Sequence, residues 1–427
     1  MKIKQTICFG ITTKIIREKL CLFPLTLLLT MVLLGGVFQF TAKAGSAEIP
    51  AVTSVDEPFP SFETHLEFIR QELKIPGMSA AIVKDHALVW ATGFGYADLE
   101  HKVAATPDTP YGLASVTKPI GAVVIMQLVE EGLVDLDAPI NQYGVDLGND
   151  AITVRHLLTH TSEGIPGTEH HYNGNRYGYL GGVIEGASGQ TFAALLSENI
   201  LLPLGMKNTA LNPFNSSGGT LHNILEDLKL GLGWGKNYQQ YPDVYNRLAL
   251  PYQFDEAYNT IPGMYQTYHN PAAGMLSSVT DLAKFDIALD QGLLLGNAAK
   301  NEMFSPAYST YQNRQDLMYG LGWYVQDFDG LELIWHCGRW EPSTSALYLK
   351  VPEKNLTFII LANTDNLTVP FAGIGYGDVS KSALALAFFR YFIFPEQHST
   401  ILPNINWDAD QEILIQQLAN VEDESAQ

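Results

Sequence analysis

Two kinds of hydrophobic pattern alternate along the chain, and they predict strands near both ends and helices between them. Residues 78–98 form two β-rich runs around a polar turn at residues 84–86, which predicts a hairpin. Residues 343–364 form two more runs around a turn at residues 352–355 and predict a second hairpin. Residues 120–129 are apolar on nearly every helical face, which is typical of a helix inside a protein.

The central part of the chain is mainly helical by the same criterion. Residues 152–164 and 177–206 carry helical runs with glycine breaks, and residues 275–292 predict a helix with a serine-rich cap. An apolar helix is predicted at residues 380–394. We therefore predict an α/β (α+β) fold, with an antiparallel sheet built from both chain ends, flanking helices and an inserted, mainly helical region.

The N-terminal residues have the composition of a targeting segment. A basic start is followed by an apolar stretch at residues 21–40 and by Ala42-Lys43-Ala44, a small-x-small cleavage pattern. We expect export with cleavage after Ala44, although the apolar stretch is long enough to span a bilayer if it stays attached. We divide the chain into four parts: a signal peptide or uncleaved anchor at residues 1–44, a linker at 45–61, a folded domain at 62–400 and an acidic tail at 401–427.

The charge of the chain excludes one class of partner. It has 25 Lys and Arg against 45 Asp and Glu, for a net charge of −20. No basic surface of the kind that binds phosphate backbones is expected, so nucleic acid is not a predicted partner. Membrane contact is expected only through the N-terminal segment, if that segment is not cleaved.

Ser115 and Lys118 lie at the start of the predicted buried helix, where positions i and i+3 share one face. There the N–H of Ser115 can stabilise an oxyanion while its hydroxyl attacks a carbonyl. The helix dipole and burial would make Lys118 easier to deprotonate, and a neutral lysine can take the serine proton. The S-x-x-K motif by itself does not exclude an alternative, because it occurs about once or twice by chance in a chain of this length. In that alternative Ser115 only caps the helix and Lys118 is exposed to solvent.

Five sequence segments of this chain occur in the same order as in a known family. Together they make a chance occurrence of the S-x-x-K motif an inadequate explanation. In them the chain resembles the serine β-lactamase and penicillin-binding protein superfamily, and most closely its class C β-lactamase-related branch. The resemblance extends from about residue 62 to residue 390 and implies a β-lactamase/transpeptidase-like fold. The runs are LASVTKPIGAVVIMQLVEEGLVDLDAPI, ITVRHLLTHTS, LGMKNT, GMLSSVTDLAKF and VPEKNLTFIILAN.

The resemblance assigns catalytic roles to three residues. Ser115 matches the acylated nucleophile and Lys118 its proton partner, while Tyr172 in HYNGNRY matches the tyrosine of the family's Y-x-N element. The third position of that element is Gly174 instead of asparagine, so the amide that would bind the acyl side chain of a substrate is missing. The asparagine on either side of Gly174 is a candidate substitute.

The third family element is K-T-G or H-x-G, and here it reads His336-Cys337-Gly338. The resemblance implies that His336 points toward the cleft and hydrogen-bonds the tyrosine or the substrate. Gly338 is expected to let the substrate approach the backbone, and the N–H of Arg339 to be the second oxyanion donor. H-x-G lacks the lysine that would hold a carboxylate, which makes a classical β-lactamase less favoured.

One pair of histidines suggests a metal site. His156 and His160 lie one helical turn apart, but a zincin needs a glutamate directly after the first histidine, and Leu157 occupies that position. We therefore predict that both histidines are structural and that the protein uses no metal and no cofactor.

Taken with the resemblance, these residues predict an exported serine hydrolase, located in the periplasm or outside the cell. Ser115 would attack an amide, lactam or ester carbonyl, and water would release the product. The expected partners are small-molecule or peptide substrates, with cell-wall fragments among them; β-lactams, D-amino-acid peptides and small esters all stay open. The alternative is a non-hydrolytic penicillin-binding-like sensor. Gly174 favours this alternative, and four retained family residues oppose it: Ser115, Lys118, Tyr172 and His336.

Overall fold

A computed structural model of the chain describes residues 59–212, 214–215, 242–255, 257–266, 268–310, 314–368 and 377–395. The predicted signal peptide, most of the linker and the acidic tail lie outside these residues. The first helix, Phe59–Glu72, begins inside the predicted linker, so the folded domain starts slightly earlier than predicted. Within the described part of the chain we find no helix with the length and hydrophobicity of a membrane span.

Sixteen strands occur in the described residues, and nine of them form one antiparallel sheet. In chain order they are β1 Gly77–Lys84, β2 Ala87–Asp98, β3 Val103–Ala104, β4 Tyr111–Gly112, β5 Ala210–Leu211, β6 Phe214–Asn215, β7 Tyr252–Phe254, β8 Thr260–Pro262, β9 Tyr268–His269, β10 Met275–Ser277, β11 Tyr308–Ser309, β12 Leu317–Tyr319, β13 Tyr324–Phe328, β14 Leu331–Trp340, β15 Thr344–Val351 and β16 Leu356–Ala362. The order across the large sheet is β11-β12-β13-β14-β15-β16-β1-β2-β3. Because β1 pairs with β16, the sheet joins both ends of the domain, which confirms the predicted fold class.

Ten α-helices occur in the same residues, most of them between the two halves of the sheet. They are α1 Phe59–Glu72, α2 Thr117–Glu130, α3 Val154–Leu158, α4 Gly174–Gly178, α5 Leu180–Ser188, α6 Phe192–Leu196, α7 Pro242–Asn246, α8 Val279–Asp290, α9 Asn297–Phe304 and α10 Ala383–Phe388.

Both predicted hairpins are confirmed. The β1–β2 turn has Asp85 and His86 at φ 50° and 62°, which is the left-handed conformation that a two-residue hairpin turn requires. The β15–β16 turn is a short 3₁₀ segment, Pro352–Lys354, followed by Asn355 at φ 48°. Asn and Asp tolerate this conformation better than most residues, which is why polar residues mark these turns in the sequence.

The large sheet is covered on both faces, and β16 shows why its strands read as continuous apolar runs. Phe358 and Ile360 pack on one face with α1 and α10, while Ile359 and Leu361 pack on the other face with α2 and α8. Successive side chains of a strand point to opposite faces, so a strand that is buried on both sides carries apolar residues at every position.

The helix predicted at residues 152–164 is shorter in the structure. It forms α3 only, because Thr159 leaves the helical conformation and His160 follows with φ 56°, in the left-handed region. Ser278 caps α8 by accepting a hydrogen bond from the N–H of Asp281, as predicted. The N-terminal end of α2, where Ser115 and Lys118 lie, is found where this helical region meets the sheet.

Candidate active site

Ser115 is the one accessible residue in a long buried segment. Residues 111–126 are otherwise buried throughout, while Ser115 is partly exposed. It lies in a 3₁₀ turn, Ala114–Val116, directly before α2, and the N-cap position of α2 is Val116, which makes no side-chain capping bond. The alternative of a capping Ser115 is therefore wrong. Ala114 has φ 44°, a sparsely populated conformation that commonly marks functional sites.

Lys118 is buried against Ser115 and is not the exposed lysine of the alternative interpretation. Its side chain is 1% exposed, and its Nζ lies 2.9 Å from Ser115 Oγ and 3.2 Å from the carbonyl oxygen of Ala272. Burial lowers the pKa of Lys118 to about 7 because the charged ammonium loses its hydration. A substantial fraction of the amine is then neutral near pH 7 and able to accept the Ser115 proton.

Tyr172 completes a group of three side chains. The Ser115 side chain lies close enough to the Tyr172 hydroxyl to lower its pKa, and Lys118 Nζ lies 4.7 Å from the centroid of the Tyr172 ring. Burial raises the pKa of Tyr172 above its usual range, so the hydroxyl keeps its proton. The structure thus brings together the three residues that the resemblance implied as a catalytic set; their catalytic roles stay a prediction.

The segment around β10 supports this group, and sequence analysis missed its contribution. The N–H of Leu113 donates to the carbonyl of Met275 at 2.9 Å, and the N–H of Met275 donates to Thr117 Oγ1 at 3.2 Å. The carbonyl of Ala272 also accepts a hydrogen bond from Lys118 Nζ. Residues 272–275 therefore bond to residues before and after Ser115 in the chain. The segment GMLSS belongs to one of the five runs that resemble the family, so its importance could be inferred from the sequence. Nothing in its local pattern indicated this contact.

Gly338 lies directly against the Ser115 turn. A Cβ atom there would be 2.0 Å from the carbonyl oxygen of Leu113 and 3.1 Å from the backbone nitrogen of Ser115. The close approach that this glycine permits is therefore that of β14 to the Ser115 turn, whereas we expected an approach of the substrate. Arg339 follows it, with Nε 3.1 Å from Asp365 Oδ2. The role of the Arg339 N–H as an oxyanion donor stays a prediction.

His336 lies beside the candidate catalytic group, with its ring centroid 6.2 Å from that of Tyr172, but its hydrogen bond goes to a different tyrosine. Its side chain is fully buried, with Nε2 3.0 Å from the Tyr319 hydroxyl and Nδ1 2.6 Å from the Cys337 carbonyl. Since a carbonyl only accepts, Nδ1 carries the proton, and Nε2 accepts from Tyr319. The tyrosine bonded to His336 is thus Tyr319, not Tyr172. Burial lowers the pKa of His336 to about 3, so the ring is neutral.

Gly174 faces the active site. The nearest heavy atom to a Cβ at this position would be Lys118 Nζ, at 3.7 Å, which supports the alignment of the second motif. Asn173 is not a free substitute for the missing amide, because its Oδ1 caps α4 at Arg176 and its Nδ2 donates to Glu163. Asn175 is exposed.

The two histidines of HLLTH have protein partners. His156 Nδ1 accepts the N–H of Thr153 at 3.1 Å, and His160 Nδ1 accepts the N–H of Asn173 at 3.1 Å. In the described residues no group of three His, Cys, Asp or Glu side chains is arranged to hold a metal ion.

Comparison with known proteins finds relatives of this fold. A family model described as Beta-lactamase matches residues 65–378. Penicillin-binding protein 4* of Bacillus subtilis (strain 168) is 26% identical over 320 residues, which is 66% of this chain and 66% of that protein. The chain thus spans just under two thirds of the length of this curated relative.

Solved structures give the same fold. The octameric penicillin-binding protein homologue from Pyrococcus abyssi has a TM-score of 0.62 at 25% identity, covering 78% of this chain and 77% of that one. The D-amino acid amidase from Ochrobactrum anthropi SV3, complexed with D-phenylalanine, has a TM-score of 0.58 at 20% identity, covering 79% of this chain and 100% of that one.

Proposed function

Because the chain belongs to the Beta-lactamase family, a family of serine hydrolases, we propose that it is an exported enzyme that hydrolyses an amide, lactam or ester carbonyl through an acyl-enzyme on Ser115. The observation that carries the proposal is the 2.9 Å hydrogen bond between Lys118 Nζ and Ser115 Oγ, made at the one accessible position of a buried segment. A buried amine with a lowered pKa beside a serine hydroxyl is the arrangement that activates a nucleophile.

Acylation follows from the roles of the three side chains. The neutral amine of Lys118 takes the proton of Ser115 while Oγ forms a bond to the substrate carbonyl carbon. The backbone N–H groups of Ser115 and Arg339 stabilise the negative oxygen that develops. When the carbonyl–leaving-group bond breaks, the Tyr172 hydroxyl donates a proton to the leaving group and recovers one from the Lys118 ammonium.

Deacylation reverses these proton movements with water in place of the leaving group. Water attacks the acyl carbon and loses a proton toward Lys118, and the ester bond to Ser115 Oγ breaks. Oγ recovers its proton, so the enzyme returns to its starting state. The net reaction adds one water to the substrate and releases a carboxylic acid and an amine or alcohol.

The substrate class that fits best is a D-amino-acid amide, peptide or ester. The names of the relatives, a penicillin-binding protein and a D-amino acid amidase, support this choice. His336 stands where a cationic lysine would hold a substrate carboxylate, and it is buried and neutral. Substrates whose binding does not require a cationic side chain on their carboxylate are therefore favoured over classical β-lactams.

A sensor that acylates but does not release its ligand is the second candidate, and Gly174 is the observation in its favour. The family amide is absent there, and Asn173 is committed to capping α4. A chain that had lost substrate recognition while keeping Ser115 and Lys118 would have this pattern.

The test measures acylation and turnover separately on the purified protein. A fluorophosphonate should label Ser115, as identified by mass spectrometry of the labelled peptide. A panel of a nitrophenyl ester, a D-phenylalanine amide, a D-Ala-D-Ala peptide and a chromogenic cephalosporin should give turnover with at least one of the first three. Ser115→Ala should lose both labelling and turnover while keeping its melting temperature.

The outcomes separate the candidates. Turnover that is equal in Ser115→Ala and the parent contradicts the acyl-enzyme mechanism. Labelling of Ser115 without turnover on any substrate favours the sensor. Export is tested separately by N-terminal sequencing of the protein recovered outside the cytoplasm, which should begin at Gly45 if the signal is cleaved.

A further inference from the structure

His160 contacts three consecutive residues, and the middle one is Tyr172. Its backbone carbonyl accepts the N–H of His171 at 2.7 Å, and its Nδ1 accepts the N–H of Asn173 at 3.1 Å. Its ring lies against the ring of Tyr172, with centroids 4.3 Å apart and planes tilted by 35°. The backbone is therefore held on both sides of Tyr172 by the residue that also supports its ring.

The backbone conformation of His160 makes these contacts possible together. Its φ of 56° places it in the left-handed region, which residues other than glycine adopt uncommonly, histidine, asparagine and aspartate more often than the rest. This residue follows the end of α3, and in this conformation its carbonyl and its ring both contact residues 171–173. A residue other than glycine that is held in this conformation is commonly found beside an active site.

The chemistry of the ring indicates a geometric role and not proton transfer. Nδ1 accepts a backbone N–H and so carries no proton, which leaves the proton of the neutral ring on Nε2. Nε2 is buried and has no hydrogen-bond partner in the described residues. The rings of Tyr177 and Tyr319 also pack against His160, each with its centroid 5.2 Å away. Burial and the nearby Lys118 charge hold the pKa of His160 well below its usual range, so the ring stays neutral and keeps accepting.

We propose that His160 is a positioning residue that holds Tyr172 at the distance and angle at which its hydroxyl meets Ser115. This proposal rests on the proposed function, in which Tyr172 delivers the proton to the leaving group. His160 does not touch the reacting atoms; it acts through Tyr172. A displacement of a catalytic group by about 1 Å can cost about 10²-fold in rate, so loss of this support should lower kcat and leave substrate binding nearly unchanged.

The principal variant is His160→Gly, with His156→Gly as its matched control. Glycine adopts φ 56° without strain, so the variant removes the ring and its acceptor but not the local backbone conformation. His156 belongs to the same segment and also accepts a backbone N–H through Nδ1, but its acceptor holds Thr153 and not the neighbourhood of Tyr172. We expect kcat to fall about 10- to 100-fold in His160→Gly with KM within about threefold, and kcat of His156→Gly to stay within about twofold.

A second variant keeps the test decisive if His160→Gly does not fold. Asparagine tolerates the left-handed conformation, and its Oδ1 lies the same number of bonds from Cβ as Nδ1 of histidine. His160→Asn therefore keeps the acceptor for Asn173 and loses most of the ring contact with Tyr172. Its kcat should lie between those of His160→Gly and the parent, with KM unchanged.

A spectroscopic readout separates this proposal from the proposed function. In protein labelled with 3-fluorotyrosine, the ¹⁹F resonance of Tyr172 is assigned from its absence in Tyr172→Phe. The chemical shift of this Tyr172 resonance should change in both His160 variants and should be the same in His156→Gly as in the parent. If the parent shows no turnover, the proposed function fails, and a Tyr172 resonance that stays in place still overturns the positioning role. A folded His160 variant with parental kcat, or a Tyr172 resonance that does not respond to it, overturns the proposal.

Discussion

A Cβ atom on Gly338 would lie 2.0 Å from the carbonyl oxygen of Leu113, far inside the contact distance of the two atoms. Strand β14 and the turn that carries Ser115 therefore touch through their backbones, with no side chain between them. This contact sets how close the β14 backbone comes to the nucleophile. It depends on the absence of a single methyl group.

Gly338→Ala should separate β14 from the Ser115 turn and disable the site. We expect activity to fall by more than about 100-fold, because a displacement of about 1 Å in a catalytic site has an effect of this size. The matched control is Gly181→Ala in α5, where a Cβ would meet Pro271 at 3.5 Å, an ordinary contact. That variant should keep parental kcat and gain slightly in melting temperature, because alanine favours helix. A Gly338→Ala enzyme with parental activity would contradict the importance of this contact.

The activity of the enzyme should rise with pH through the titration of Lys118. Its pKa is about 7, lowered by burial, and only the neutral amine accepts the Ser115 proton. Below this value kcat/KM should increase roughly tenfold per pH unit, and above it the profile should level off. The apparent pKa belongs to the coupled group of Ser115, Lys118 and Tyr172. A profile that is flat from about pH 5 to pH 8 on the best substrate would argue against Lys118 as the base.

Lys118→Met should stabilise the fold while abolishing catalysis. The folded-state pKa of about 7 lies below the usual 10.5, so between these values the unfolded chain binds more protons and stability rises with pH. Below about pH 7 both states are protonated and the penalty for burying the charge is complete. The gain in melting temperature of Lys118→Met over the parent should thus be largest below pH 7 and shrink toward pH 10. Thermal unfolding at several pH values measures this trend, and a variant that is less stable at pH 6 would refute it.

Tyr172 and Lys118 should act as one unit in proton transfer. Tyr172→Phe removes only the hydroxyl, which lies beside Ser115, so the ring contacts survive and the melting temperature should change little. We expect kcat to fall by at least about 100-fold, with little further loss when Lys118→Ala is added, because residues that act together are strongly non-additive. Kinetics of the two single variants and the double variant measure the coupling. Simple multiplication of the two effects would show that the residues act independently.

Gly174→Asn should fold and should alter substrate choice. A Cβ at Gly174 meets only Lys118 Nζ, at 3.7 Å, so the side chain has room and its amide lies beside the active site. We expect better kcat/KM for substrates with an amide in the acyl side chain. Gly186→Asn in α5 is the contrast: its Cβ would lie 1.9 Å from the backbone carbonyl oxygen of Tyr143, so it should lower the melting temperature. Unchanged preference in a stable Gly174→Asn protein would show that this position does not contact the acyl group.

Local patterns were sufficient for most of the secondary structure and for one pair of site residues. The two hairpins follow from the strand period and from polar turn residues, and the burial of α2 follows from its apolar faces. Ser115 and Lys118 meet because they lie three positions apart along a helical segment, a spacing that places two side chains on one face. The helix predicted at residues 152–164 was too long, because nothing in the neighbouring residues indicates the left-handed conformation of His160 that follows α3.

Only the tertiary structure decided the contacts between distant segments. Tyr172 comes close to Ser115 from more than fifty residues away, and Gly338 and His336 come from β14, more than two hundred residues further along the chain than Ser115. The sequence suggested that these residues belong to one site, but not that Gly338 contacts Leu113 or that His336 is bonded to Tyr319. Such contacts depend on how layers of structure pack at ångström scale, and hydrophobic periodicity specifies which face of an element is buried without specifying which atoms it meets.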